Sequence, residues 1–139
     1  MRRWIQRLGS RRAELDEAAF ALTVLLLVSL GLVNLALLGF AAINAANAAE
    51  YGARVGAVAQ TNQASAAMAA ANNKLSGVRV GTYTVTVTGN GTPGSRIEVR
   101  VQYRVPNYFG GLSSLFLAAP RPSSTFTGTA KATFRQEGW

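Results

Sequence analysis

The sequence has no cysteine and no histidine. The first absence excludes a disulfide framework and a thiolate metal site. The second removes the commonest general base and metal ligand. Acids are scarce, six against fourteen basic residues, for a net charge of +8. Three of the six, Glu14, Asp16 and Glu17, crowd together near the N-terminus; Glu50, Glu98 and Glu137 lie far apart. No serine sits in a nucleophile-elbow context, and no histidine is present to activate one. The loop GNGTPGS has no following lysine, so it is not a phosphate-binding loop. These absences point away from an enzyme, a cofactor or a metal centre.

Charge itself is missing from Ala18 to Ala49. The dense apolar part, residues 18–43, would reach roughly 39 Å as a helix, against a hydrocarbon core of about 30 Å. The expectation is a membrane-spanning helix. Five arginines (Arg2, Arg3, Arg7, Arg11, Arg12) precede it, so the positive-inside rule places the N-terminus in the cytoplasm and the C-terminus outside. The alternative is a cleaved signal, with Ala46-Asn47-Ala48 as the small-residue site before Ala49. The apolar run is about twice the usual 7–15 residues of a signal peptide, which favours a retained anchor.

Residues 41–75 are rich in alanine, the best helix former. Glu50 and Arg54 stand four apart in the favourable order. Gly52 and Gly56 would let a neighbouring backbone approach. One long helix is expected from about Asp16 to the low sixties, with a bend near 60–63 and a second piece to about Asn73. Beyond it the period changes from 3.6 to 2. In TYTVTVT, RIEVRVQYRV and TFTGTAKATFR, apolar and polar residues alternate, as in half-buried antiparallel strands. TGNGTPGS suits a hairpin between the first two, and Gly81 marks a bulge or a strand start. The sheet must bury its apolar face, either against the Ala-rich helix or against another copy. The small residues Gly128, Ala130 and Ala132 are expected where a helix presses close. The excursion 106–124 is apolar; residues 111–118 could form a turn with Leu112, Leu115 and Phe116 on one side. It would cap the sheet or present a patch to a partner.

The fold class is therefore α+β: a long transmembrane helix continuing into an Ala-rich helix, packed on a small antiparallel sheet of about three to four strands. The segments are a basic leader (1–15), a span (16–43), an Ala-rich helix (44–75) and a β domain (76–139). Three sets of residues invite a role. Arg96, Arg100 and Arg104, with Lys131 and Arg135, make a basic strand face: a solvated face, or a site for an anionic partner such as lipid or surface polymer. Nucleic acid is disfavoured because the strand tyrosines point the other way. Within the span, Asn34 needs a hydrogen-bonding partner, and with Gly31 it suggests contact with another helix. The three acids have a simple explanation in capping, with Asp16 as N-cap and Glu17 in the first turn. Capping does not explain why carboxylates lie so close to hydrocarbon.

Several motifs in order resemble the TadE-like pseudopilins of tight-adherence (Flp-type) pilus systems. They are the short basic leader, Glu17 with Phe20-Ala21-Leu22, AAEYGARVGA (residues 48–57), VQYRVP, and the terminal ATFRQEG with Arg135 and Glu137. The resemblance covers about residues 9 to 138; no proline occurs in the apolar helix, where that family usually has one. It implies a non-enzymatic protein of pilus or secretion-filament assembly, acting by helix packing. Its partners would be other pilin subunits, membrane assembly machinery, lipid and a prepilin-type peptidase. A cut after Gly9 would make Glu14 the fifth mature residue; a cut after Ala13 would make Glu17 the fourth. Glu14 and Glu17 would set register by pairing with a neighbour's freed amine. Gly52 and Arg54 would form a collar outside the membrane. The alternative class is a stand-alone anchored binding module that uses the basic sheet face.

Overall fold

A computed structural model describes residues 2–108 and 123–137, with side chains from Glu14 onward. Its elements are α1 (Arg2–Val58), α2 (Gln63–Leu75), β1 (Thr82–Gly89), β2 (Arg96–Pro106) and β3 (Thr125–Arg135). The strands form one antiparallel sheet in the order β1-β2-β3. The chain is α+β as the change of period implies, with three strands among the described residues.

The helix α1 is unbroken for 57 residues. Nothing in its sequence stops it: proline is absent, and its glycines sit in good helix-forming company. It ends at Val58, where Asn62 turns the chain at φ 51°, a left-handed conformation that asparagine tolerates. The helix α2 then folds back. The predicted bend near 60–63 is thus a tight reversal. The predicted helix start near Asp16 is corrected to Arg2, and the capping explanation goes with it. Asp16 and Glu17 lie more than three turns inside α1, whose first turn holds no acid. Dipole stabilisation fades within the first turn, so capping does not account for these carboxylates.

Alternation in the strands is read correctly by period. Ile97, Val99, Val101 and Val105 of β2 are buried, while Arg96, Arg100, Gln102 and Arg104 point outward. Tyr83, Val85 and Val87 share the inner face of β1, with threonines outside. Gly81, at φ +80°, is the strand-start device that the parity change requires. The inner face shares one core with a stripe of α1, Ala45, Ala48, Ala49, Ala53 and Ala57, and Ala41 extends the buried stripe. Alanine at this helical spacing lets the sheet approach to backbone distance. Ala130 and Ala132 pack against this same core. At Gly128 the close approach is that of Tyr103, its cross-strand partner, whose ring a Cβ there would meet.

The strand β2 runs antiparallel to α1 along its whole length. A Cβ at Gly56 would meet Ile97 Cδ1 at 2.6 Å, and Asn34 is hydrogen-bonded to Asn107, just past the end of β2. The 22 steps from Asn34 to Gly56 span about 33 Å of helix. The ten steps from Ile97 to Asn107 span about 33 Å of strand. Helix and strand are matched in length, and the sheet covers α1 from Asn34 to Ala57.

Candidate functional site

Two polar pins fix the sheet to α1, one at each end. At the end nearer the N-terminus of α1, Asn34 is 4 % exposed. Its Nδ2 donates to Asn107 Oδ1 at 3.2 Å, and its Oδ1 accepts from the Tyr108 backbone N–H at 3.3 Å. Asn107 also closes the base of the excursion: its backbone N–H donates to Ser124 O at 2.9 Å, and its Nδ2 to Ser123 O at 3.0 Å. A single carboxamide therefore joins α1, β2 and the approach to β3. This corrects the expectation that Asn34 seeks another helix, because its partners lie in the same chain. The predicted turn at 111–118, with Leu112, Leu115 and Phe116, lies outside the described residues.

At the far end the pin is Gln136, also 4 % exposed. Its Oε1 accepts from Ser95 Oγ at 3.1 Å, and its backbone exchanges bonds with Gly94 and Ser95. The next residue, Glu137, donates its backbone N–H to Ala57 O at 3.0 Å. Ala57 is one residue from the end of α1, where carbonyls lack a helical partner. The tail of β3 therefore caps the helix that the sheet rests on. Sequence reasoning singled out Arg135 and Glu137 and passed over Gln136 and Asn107. The available signal was a polar amide at each end of an apolar alternation.

Between the pins, Gly52 and Gly56 let α2 close onto α1. A Cβ on Gly52 would stand 2.8 Å from Ala67 O and 2.9 Å from Ala71 Cβ; one on Gly56 would stand 2.7 Å from Ala67 Cβ. The helix contact foreseen for Gly52 is with the chain's own α2. Arg54 pairs with Glu50 at 3.3 Å and stands over the Phe134 ring at 5.9 Å. The ion pair is exposed on both sides, so it contributes little. Tyr83 donates to Val80 O at 2.9 Å, and burial holds its hydroxyl above its ordinary pKa.

Glu14 and Glu17 are both exposed, on adjacent turns of α1. The backbone is helical at both Gly9 and Ala13, and the Ala13 side chain lies outside the described residues. Among the described residues nothing meets Gly31: a Cβ there would have no neighbour within 4 Å. From Leu15 to Val33, α1 exposes large apolar side chains, Phe20, Leu25 and Leu32 among them. Only 6 % of its most apolar stretch is buried inside the fold, and it is the one described helix long and apolar enough to cross a membrane.

The register of the outer sheet face is informative. Arg96 stands opposite Arg135, and Arg100 opposite Lys131. Like charges directly across strands repel, and Glu98, bonded to Arg100 at 2.9 Å, is the one acid within these strands. Arg96 and Arg135 also line an open hollow with Gly94, Thr133 and Phe134. A second hollow lies between Asn62, Gln63 and Gly91. Among the described residues, no acid lines either hollow.

Comparison with protein-family models, curated proteins and solved structures returned no match to this chain.

Proposed function

We propose that the chain is a membrane-anchored, pseudopilin-like component of pilus or secretion-filament assembly, resembling the TadE-like proteins, with its N-terminus cytoplasmic and its sheet outside. One observation carries this reading. The bare portion of α1 exposes leucine, valine and phenylalanine around its circumference, while the rest of the same helix carries a pinned, water-compatible domain. Burial at about 25 cal/mol per Å² makes such a surface untenable in water. Lipid and neighbouring helices are its natural solvents.

In this reading Glu14 and Glu17 act in register. A carboxylate at the edge of hydrocarbon is costly unless paired, and a freed N-terminal amine on a neighbouring subunit neutralises it. Gly31, whose face is open among the described residues, is where a neighbouring helix approaches closely. Replacing Glu14 and Glu17 together by Gln should abolish helix–helix crosslinking in membranes while leaving the sheet domain folded. Undiminished crosslinking would refute the role. Mass spectrometry of the mature N-terminus supplies an independent check: a start at Ser10 or Glu14 supports pilin-type processing, and a start at Ala49 removes the anchor.

A second reading, an anchored module that binds an anionic partner, is favoured by the paired like charges on the outer sheet face. Charge reversal at Arg96, Arg100 and Arg104 separates the two. It abolishes function in the second reading and spares assembly in the first.

A further inference from the structure

The length of α1 that carries the sheet has a consequence for how deep the protein sits. We propose that the end of the sheet around Asn34, Thr82, Asn107 and Thr125 is a rim that rests on the lipid headgroup layer. The hydrocarbon then ends at Asn34, about two and a half helical turns short of Ile43. The proposal rests on the membrane-anchored reading above, and three observations lead to it.

The first is the open sheet. In the order β1-β2-β3, both β1 and β3 are edge strands among the described residues, and each presents backbone N–H and C=O groups that no described strand meets. Lipid cannot satisfy such groups, and exposed sheet edges do not occur within hydrocarbon. Thr82 lies opposite Arg104, and Thr125 opposite Pro106, so both edges descend to within a few residues of Asn107, and Asn107 is bonded to Asn34. Hydrocarbon that reached Ile43 would immerse those edges to a depth of roughly 13 Å, nine helical steps. The second is length. From Glu14 to Val33 is 20 residues, roughly 30 Å of helix, which matches the hydrocarbon thickness. That frame puts Glu14 at the inner boundary and Asn34 at the outer.

The third is the placement of charge. Arg104 belongs to the rim, and Arg79 lies two residues before Gly81, whose own Cβ position abuts the Arg104 backbone. No acid is near. The first acid beyond Asn34 along α1 is Glu50, about 24 Å further on. Glu98 stands level with the Gly56 end of α1, beside Ile97, and Glu137 is bonded there to Ala57. All three acids of the domain therefore stand at its distal half, and the end turned to the bilayer offers arginine and hydroxyl donors to lipid phosphates.

The test uses the absence of cysteine, because every introduced thiol is unique. Leu26→Cys, Thr125→Cys and Thr133→Cys, all at exposed positions, are spin-labelled in the full chain. The labelled chains are placed in vesicles of phosphatidylcholine and phosphatidylglycerol carrying a nickel-chelating headgroup lipid. Power saturation then reads each label's height. The label at 26 should collide with oxygen and not with aqueous nickel chelate. The label at 125 should respond to headgroup-bound nickel several-fold more strongly than the label at 133, which stands about 26 Å further along β3. A label at 125 that behaves like the one at 26 places the rim in hydrocarbon and overturns the inference, with the anchor intact. Equal responses at 125 and 133 mean that the domain does not rest on the bilayer, and overturn it too. A label at 26 open to aqueous chelate refutes the anchor itself, and the inference with it.

Discussion

Replacement of Asn34 by Ala tests the pin on which the placement of the sheet depends. The substitution removes one donor and one acceptor from a site that is 4 % exposed. Asn107 Oδ1 loses the Nδ2 donor at 3.2 Å, and the Tyr108 N–H loses its acceptor at 3.3 Å. An intramolecular hydrogen bond contributes about 0.5–1.5 kcal/mol net. One bond lies at the long end of the usual range and the other just beyond it, so the lower half of that interval applies, for a total of about 1–2 kcal/mol. At 1.4 kcal/mol per factor of ten, this is roughly a 5- to 30-fold increase in opening of the rim. The loss is local, because the far pin at Gln136 and the alanine seam are untouched.

Hydrogen exchange of the Tyr108 amide, measured by NMR on the full chain in nanodiscs, reads that opening directly. The variant should exchange 5- to 30-fold faster at Tyr108, with Val99 and Val101 unchanged in the middle of β2. A double-mutant cycle with Asn107→Ala adds a sharper criterion. Residues that share a bond couple by about 0.5 kcal/mol or more, so the double variant should cost less than the sum of the singles. Unaltered exchange at Tyr108, or strict additivity in the cycle, would refute the pin.

Four further variants have outcomes set by the geometry. Gly52→Val forces a branched side chain against Ala67 O and Ala71, so urea unfolding in micelles should show a loss of about 1–3 kcal/mol; Gly31→Val, which meets nothing among the described residues, should leave unfolding unchanged and, in the proposed reading, weaken only contacts between subunits. Gln136→Ala should speed exchange at Ser95 and at Glu137, whose N–H caps Ala57 O, and equal exchange in variant and parent would refute the far pin. Tyr83 binds its proton more tightly folded than unfolded. Its contribution is therefore present in full below its ordinary value near 10 and is lost as pH rises through the higher folded value; Tyr83→Phe should flatten that alkaline loss in a urea titration, and an unchanged slope would count against the assignment.

The legible and illegible parts of this fold divide along a physical line. Period-2 alternation specified which face of each strand is buried, because a one-residue slip would put every valine of β2 in water. The alanine run announced a helix, and the charge-free run announced a surface that water cannot cover. Pairing across long separations left no such trace. Asn34 looks the same in a sequence whether it bonds to a second helix or to Asn107, 73 residues away. What decides between them is that ten strand residues and 22 helix residues have the same length. That equality also separates two uses of one uninterrupted apolar run. Below Asn34 no described part of the chain lies against the run. Above it the same kind of residue, thinned to alanine on one side, becomes the rail of a sheet. The small residues at 41, 45, 48, 49, 53 and 57 and the large ones at 20, 25 and 32 are thus two answers to one requirement, that an apolar helix be covered along its whole length. The polar pin at Asn34 stands where one cover gives way to the other.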